Sequence, residues 1–76
     1  MNAAQCRAAR ALLNISQEDL AVLASISVTS LRNFERGATV PMHNNLVAIR
    51  RALEAAGIEF IPENGGGAGV RLRKSI

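Results

Sequence analysis

Apolar and polar positions along this chain follow a helical period first and an alternating one afterwards. From Asn2 to Leu13 an alanine-rich run places Cys6, Arg10 and Leu13 on one stripe with Arg7 beside it, which predicts a first helix. Asn14-Ile15 links it to Ser16, which precedes a second apolar-periodic run from Gln17 to Ala24. Asp19 stands three residues after Ser16, the spacing at which a serine hydroxyl and a carboxylate satisfy the free amides of a helix start. Ser25-Ile26-Ser27 breaks the pattern. Ser27 can cap a third helix ending near Arg36, and Gly37 stands where a left-handed residue closes a helix. Gly37 to His43 reads as a loop closed by Val40-Pro41. A fourth helix is expected from Asn44 to Ala56, with Leu46, Ile49, Leu53 and Ala56 inward and Gly57 as its stop.

Beyond Gly57 the period shortens to two. Ile58-Glu59-Phe60-Ile61 and Val70-Arg71-Leu72-Arg73 each alternate apolar with charged side chains, and Pro62 to Gly69 between them is rich in glycine. That pattern predicts a two-stranded hairpin with a long connection. A lone hairpin is marginal in water. It therefore requires a surface to pack on, and a second copy of the chain, sharing a sheet across a two-fold axis, is the expected one. The alternative is a disordered basic tail.

The third helix, Ser27 to Arg36, has two unlike sides. Leu31 and Phe34 lie on one, with Ile26 in the turn before it; Val28, Thr29, Arg32, Asn33 and Arg36 recur as a stripe on the other. Methyl groups, an amide and two guanidinium groups on one stripe match the donor, acceptor and methyl pattern of a DNA major groove. A solvated helix face is the alternative reading of the same stripe.

The ordered set Ser16-Gln17-Glu18-Asp19-Leu20-Ala21, Ala24, Ile26-Ser27, Leu31, Phe34-Glu35-Arg36-Gly37 and Pro41, continued by Leu46 and Leu53, resembles the Cro/lambda-repressor-like (XRE) helix-turn-helix family. The resemblance covers roughly Arg7 to Ala56. One departure is Ser25, where the family usually carries glycine for the turn, and another is Val28, where many relatives carry a long polar side chain. The resemblance implies a mainly α fold, a compact four-helix domain over residues 2–57; the alternating stretch beyond it, residues 58–74, is expected as a C-terminal β-hairpin or strand pair that serves as a dimerisation element. The resemblance also implies roles for residues. Val28, Thr29 and Asn33 match the base-facing positions, and Arg32 can reach base or phosphate. Gln17 matches a phosphate anchor, with Ser27, Arg36 and Asn44 holding backbone around it. Arg10 and Glu35 match a buried or half-buried ion pair between the first helix and the end of the third. Asn44 is also placed for ordinary helix capping, and that alternative stays open.

Leu12, Val22 and Leu23 occupy positions that the family mostly turns to solvent, so either the tail hairpin or a partner protein is expected to cover them. By residue type, Asn33 can pair bidentately with adenine, Thr29 and Val28 can pack on a thymine methyl, and Arg32 prefers guanine.

Composition narrows the function classes. Seventy-six residues allow one domain near the lower limit for a self-supporting core. The net charge of +3 comes entirely from the tail. Through Asn64, Arg7, Arg10, Arg32, Arg36, Arg50 and Arg51 are balanced by Glu18, Asp19, Glu35, Glu54, Glu59 and Glu63, and Arg71, Arg73 and Lys74 supply the surplus. With no Trp or Tyr and with only Phe34 and Phe60, stacking of single-stranded bases is not expected.

One cysteine, Cys6, excludes an internal disulfide and reads as a small core residue; one histidine, His43, cannot build a protein-only zinc site. No nucleophile-base-orienter set is available, so neither catalysis nor a cofactor is expected. Gly65-Gly66-Gly67-Ala68-Gly69 lacks the Lys-Ser/Thr ending and following helix of a phosphate loop. No stretch reaches the roughly 20 apolar residues of a membrane span, and no leader pattern follows Met1, so a cytoplasmic location is expected.

These expectations converge on a dimeric regulator of transcription that binds double-stranded DNA. The rival from another class is a protein-interaction module, antiactivator or antitoxin-like, that binds a second regulatory protein with the same fold.

Overall fold

The structure, a computed structural model, describes residues 1–73. Lys74, the last basic residue of the expected tail, lies outside the described residues with Ser75 and Ile76. Among the described residues the chain forms helices α1 (Ala3–Leu13), α2 (Gln17–Ala24), α3 (Val28–Glu35) and α4 (His43–Ala55), then strands β1 (Ile58–Ile61) and β2 (Gly69–Leu72).

Local chemistry sets most of the helix ends. At the start of α1 the Asn2 side chain accepts from the Gln5 amide at 2.8 Å, and the Gln5 side chain accepts from the Asn2 amide at 2.9 Å. Ser16 and Asp19 make the same reciprocal pair at the start of α2, at 2.9 and 3.1 Å. Ser27 Oγ accepts from the Ser30 amide at 3.0 Å and opens α3. Gly37, with φ +77°, closes it. Ser25, in the family's glycine position, does adopt the left-handed conformation, with φ 56°, and its amide donates back to the carbonyls of Ala21 and Val22. α4 begins one residue earlier than expected, after Met42, which gives no side-chain cap.

The core gathers Cys6, Ala9, Leu20, Ala21, Ala24, Leu31, Phe34, Ile49, Leu53 and Ile58. α2 packs on α3 and α4, and α1 on α3. Ala56, expected inward, is exposed because α4 has ended and Ala56 is its C-cap. No helix among the described residues is long and apolar enough to cross a membrane.

β1 and β2 pair antiparallel with Ile58 opposite Leu72 and Ile61 opposite Gly69. β2 thus starts at Gly69 and stops before Arg73, one residue earlier than the alternation implied, because Gly69 already completes the pair with Ile61. The hairpin does not depend on a second copy for something to pack on. β2 lies against α1 and β1 against α4 of the same chain. Ile58 is buried in the core, and Phe60 and Val70 pack partly buried against it. Three polar contacts fasten the docking: Gln5 Nε2 donates to the Gly69 carbonyl at 3.0 Å, Arg73 Nη2 donates to the Glu54 carbonyl at 2.8 Å, and the Arg50 guanidinium lies 5.0 Å from the Phe60 ring centroid. The hairpin leaves Leu12, Val22 and Leu23 uncovered; they remain 45%, 77% and 58% exposed.

Candidate nucleic-acid interface

α3 turns Leu31, Phe34 and Glu35 inward. Its opposite side carries Thr29, Arg32 and Arg36 exposed, with Asn33 half-buried beside them. Val28 departs from the expected stripe: it is half-buried and packs against the core, so only part of its side chain faces outward. The reason is its place at the first turn, two residues after Ile26, which packs on the same cluster.

Beneath this face lies a buried polar knot. Arg10 Nε and Nη2 donate to the two carboxylate oxygens of Glu35, each at 2.7 Å, a bidentate geometry that a lysine cannot reproduce. Gln17 Nε2 donates to Glu35 Oε1 at 3.0 Å, and Cys6 Sγ donates to Oε2 at 3.2 Å. Arg7 Nη1 donates to the Glu35 carbonyl oxygen, and Arg10 Nη1 to the Ile15 carbonyl at 3.2 Å. Glu35 is only 2% exposed. Burial pushes its carboxyl pKa up, but the hydrogen bonds from Arg10, Gln17 and Cys6 outweigh it and hold the group below the usual carboxylate range. Burial, reinforced by the neighbouring Glu35, pushes the Cys6 thiol well above its ordinary value, so Cys6 is an inert donor and not a reactive thiolate. Every buried side-chain polar atom among the described residues has a partner.

The knot ties the start of α2 to the end of α3 through one carboxylate. Gln17, expected as a phosphate anchor, is half-buried and uses one of its two amide hydrogens on Glu35. The other is not committed. Arg32 pairs with Glu18 at 2.9 Å in an exposed bridge, a type of contact worth well under 1 kcal/mol to stability. Arg36 donates from Nε at 3.2 Å and from Nη2 at 2.9 Å to Asn33 Oδ1.

A surface depression brings together Arg7, Arg10, Gln17, Arg32, Glu35 and Arg36. Arg10 neutralises Glu35 there and Glu18 offsets Arg32, which leaves Arg7 and Arg36 as the cationic surplus. Arg7 is the residue that pattern reading left outside the site. Its spacing of three from Arg10 on one helix was the available signal, since residues at that spacing share a face.

The remaining expected site residues lie outside this depression. Thr29 is exposed on α3. The Ser27 hydroxyl is engaged at the helix cap and lies 3.2 Å from Ser30 Oγ. Asn44 is exposed in the first turn of α4, where its Oδ1 accepts from the Asn45 amide at 3.0 Å.

A family model described as helix-turn-helix matches residues 7–59 of the chain. No curated protein gives a significant match.

Proposed function

This chain belongs to the Cro/lambda-repressor-like (XRE) helix-turn-helix family of DNA-binding transcription regulators, and on that premise we propose that it is a sequence-specific regulator acting as a dimer with α3 in the major groove. The observation that carries this reading is the division of α3: Leu31 and Phe34 are buried while Thr29, Arg32 and Arg36 stand exposed around Asn33. In it, residues 2–57 read DNA and residues 58–74 hold two protomers together. Thr29, Arg32, Asn33 and the exposed part of Val28 face bases. Gln17, Ser27, Arg36 and Asn44 hold backbone, and Arg7 joins them. Contacts to backbone set register, whereas contacts to base edges select sequence.

Dimerisation through the hairpin is supported by its open strand edges, whose unpaired backbone groups template further pairing, and by the exposure of Leu72 on β2. Two protomers would then read half-sites roughly 34 Å apart. Leu72→Glu is expected to lower the solution mass to that of a monomer without changing the helical circular dichroism.

Gel shift and footprinting on the DNA upstream of the chain's own gene test the whole reading. Asn33→Ala is expected to lose about 1–3 kcal/mol on the cognate site and to relax discrimination at one base pair. Gln17→Ala is expected to weaken all duplexes alike. A protein that ignores every duplex at low ionic strength would end the proposal.

A second reading has its own observation. Val22 and Leu23 stand exposed side by side on α2, and Leu12 is exposed near the end of α1, which favours a protein-interaction role for this fold. Charge substitutions there should leave DNA binding intact under the first reading and abolish capture of a partner regulator under the second.

A further inference from the structure

We propose that Glu18 is a specificity-determining residue, one that holds Arg32 for the uncharged edges of bases and against backbone phosphate. This rests on the groove-binding role of α3 proposed above.

The four guanidinium groups around the surface depression differ in what they are bonded to. Arg7 donates to the Glu35 main-chain carbonyl and Arg36 to the Asn33 side-chain oxygen, both neutral acceptors. Their charge stays available to a phosphate. Arg10 is committed to the buried Glu35 carboxylate. Arg32 is the remaining case: its Nη2 donates to Glu18 Oε1 at 2.9 Å, and the two side chains are 52% and 60% exposed. An arginine on the exposed stripe of α3 thus carries its own counter-ion, supplied by the first turn of α2.

A guanidinium has five N–H donors and this contact uses one, so hydrogens on Nε, Nη1 and Nη2 are left for a ligand. The carboxylate changes which ligand is favoured. A phosphate taken by Arg32 at an ordinary charge-assisted distance sets its oxygens roughly 4–6 Å from Glu18, two like charges inside the screening length at physiological salt. A base edge accepts the same hydrogens without a net charge and meets no such repulsion. Counterion release points the same way, because a cation already neutralised in the free protein adds little to sequence-independent binding. Glu18 acts through Arg32 and is a positioning residue. Its favourable place near the free amides of α2 is a separate contribution to stability, equal for every duplex.

The test titrates the full chain with its footprinted site and with a random duplex over a range of salt. Glu18→Gln keeps a side chain of the same length with an acceptor, so the helical circular dichroism should hold. Its affinity for the random duplex is expected to rise about two- to fivefold, with a salt slope steeper by about one per bound protomer. Affinity for the site should rise less, and discrimination should fall at the base pair to which Arg32→Gln is indifferent. In the Arg32→Gln background, Glu18→Gln should leave the ratio of site to random binding unchanged. A ratio that holds or rises in Glu18→Gln alone, an unchanged salt slope, a fall that persists without Arg32, or the absence of any base pair sensitive to Arg32 overturns the inference while leaving DNA binding in place. Failure of the wild type to bind any duplex removes the proposed function itself.

Discussion

The α2-turn-α3 segment and the C-terminal hairpin are both short, yet they are held by opposite means. The first is specified residue by residue along its own length. Ser16 and Asp19 start α2, Ser25 turns, Ser27 starts α3 and Gly37 stops it. The hairpin carries an alternating pattern and a flexible glycine connection but little that stabilises it alone. It is fixed by what it lies on: Gln5 reaching the Gly69 carbonyl across most of the chain, Ile58 in the core, and Arg50 over Phe60. Local instructions make an element; distant contacts decide where a weak element goes.

The family match shows the same division, since it ends at residue 59, inside β1. The matched stretch holds the self-specifying segment, and all of β2 lies beyond it.

The largest effect should come from the buried Arg10–Glu35 pair inside the helical part. Arg10→Met leaves the Glu35 carboxylate buried without its bidentate partner and is expected to cost about 3–5 kcal/mol in urea unfolding. The pH dependence sharpens the point. In wild type the folded pKa of Glu35 lies below its unfolded value, so its contribution is full above about pH 4.3 and is lost as pH falls through the lower folded value. In Arg10→Met, burial should instead raise the folded pKa above the unfolded one. Acid then favours the folded variant, and the gap between variant and wild type should narrow as pH drops. A gap independent of pH would mean that the charge of Glu35 is not what Arg10 serves.

Ile58→Ala is next, at about 2–4 kcal/mol, because it opens a cavity where β1 meets the helical core. If the hairpin were an appendage, the loss would be confined to hairpin amides in hydrogen exchange. Docking into the core predicts a cooperative loss that α4 amides share.

How much of this was legible in the sequence follows from the same contrast. The four helices, the turn and the hairpin were legible because caps, glycines and periodicity are encoded within a few residues. The Asn2–Gln5 pair was equally local and had the right spacing for a capping box, but it went unread. The side-chain engagements at the candidate site were not legible. Asn33 with Arg36, Arg32 with Glu18 and Gln17 with Glu35 are all choices among several polar partners. Only the packing distance between α2 and α3 decides two of them. Val28 looked outward by period and is partly inward by packing.

The smallest effect tests the local side of the comparison at a residue where this chain departs from its family. Ser25 holds φ 56° and carries a Cβ in a region that disfavours one. Its main-chain amide is already paired to Ala21 and Val22, so a glycine would keep those bonds and shed the steric penalty. The opposing term is the greater freedom of glycine in the unfolded chain, which recovers part of the gain. Ser25→Gly is therefore expected to stabilise by about 0.5–1 kcal/mol, read as a higher urea midpoint at unchanged slope. Its DNA affinity should stay within twofold, since the turn already has the conformation that places α3. A destabilised Ser25→Gly would show that the serine side chain adds something to the turn beyond its backbone shape.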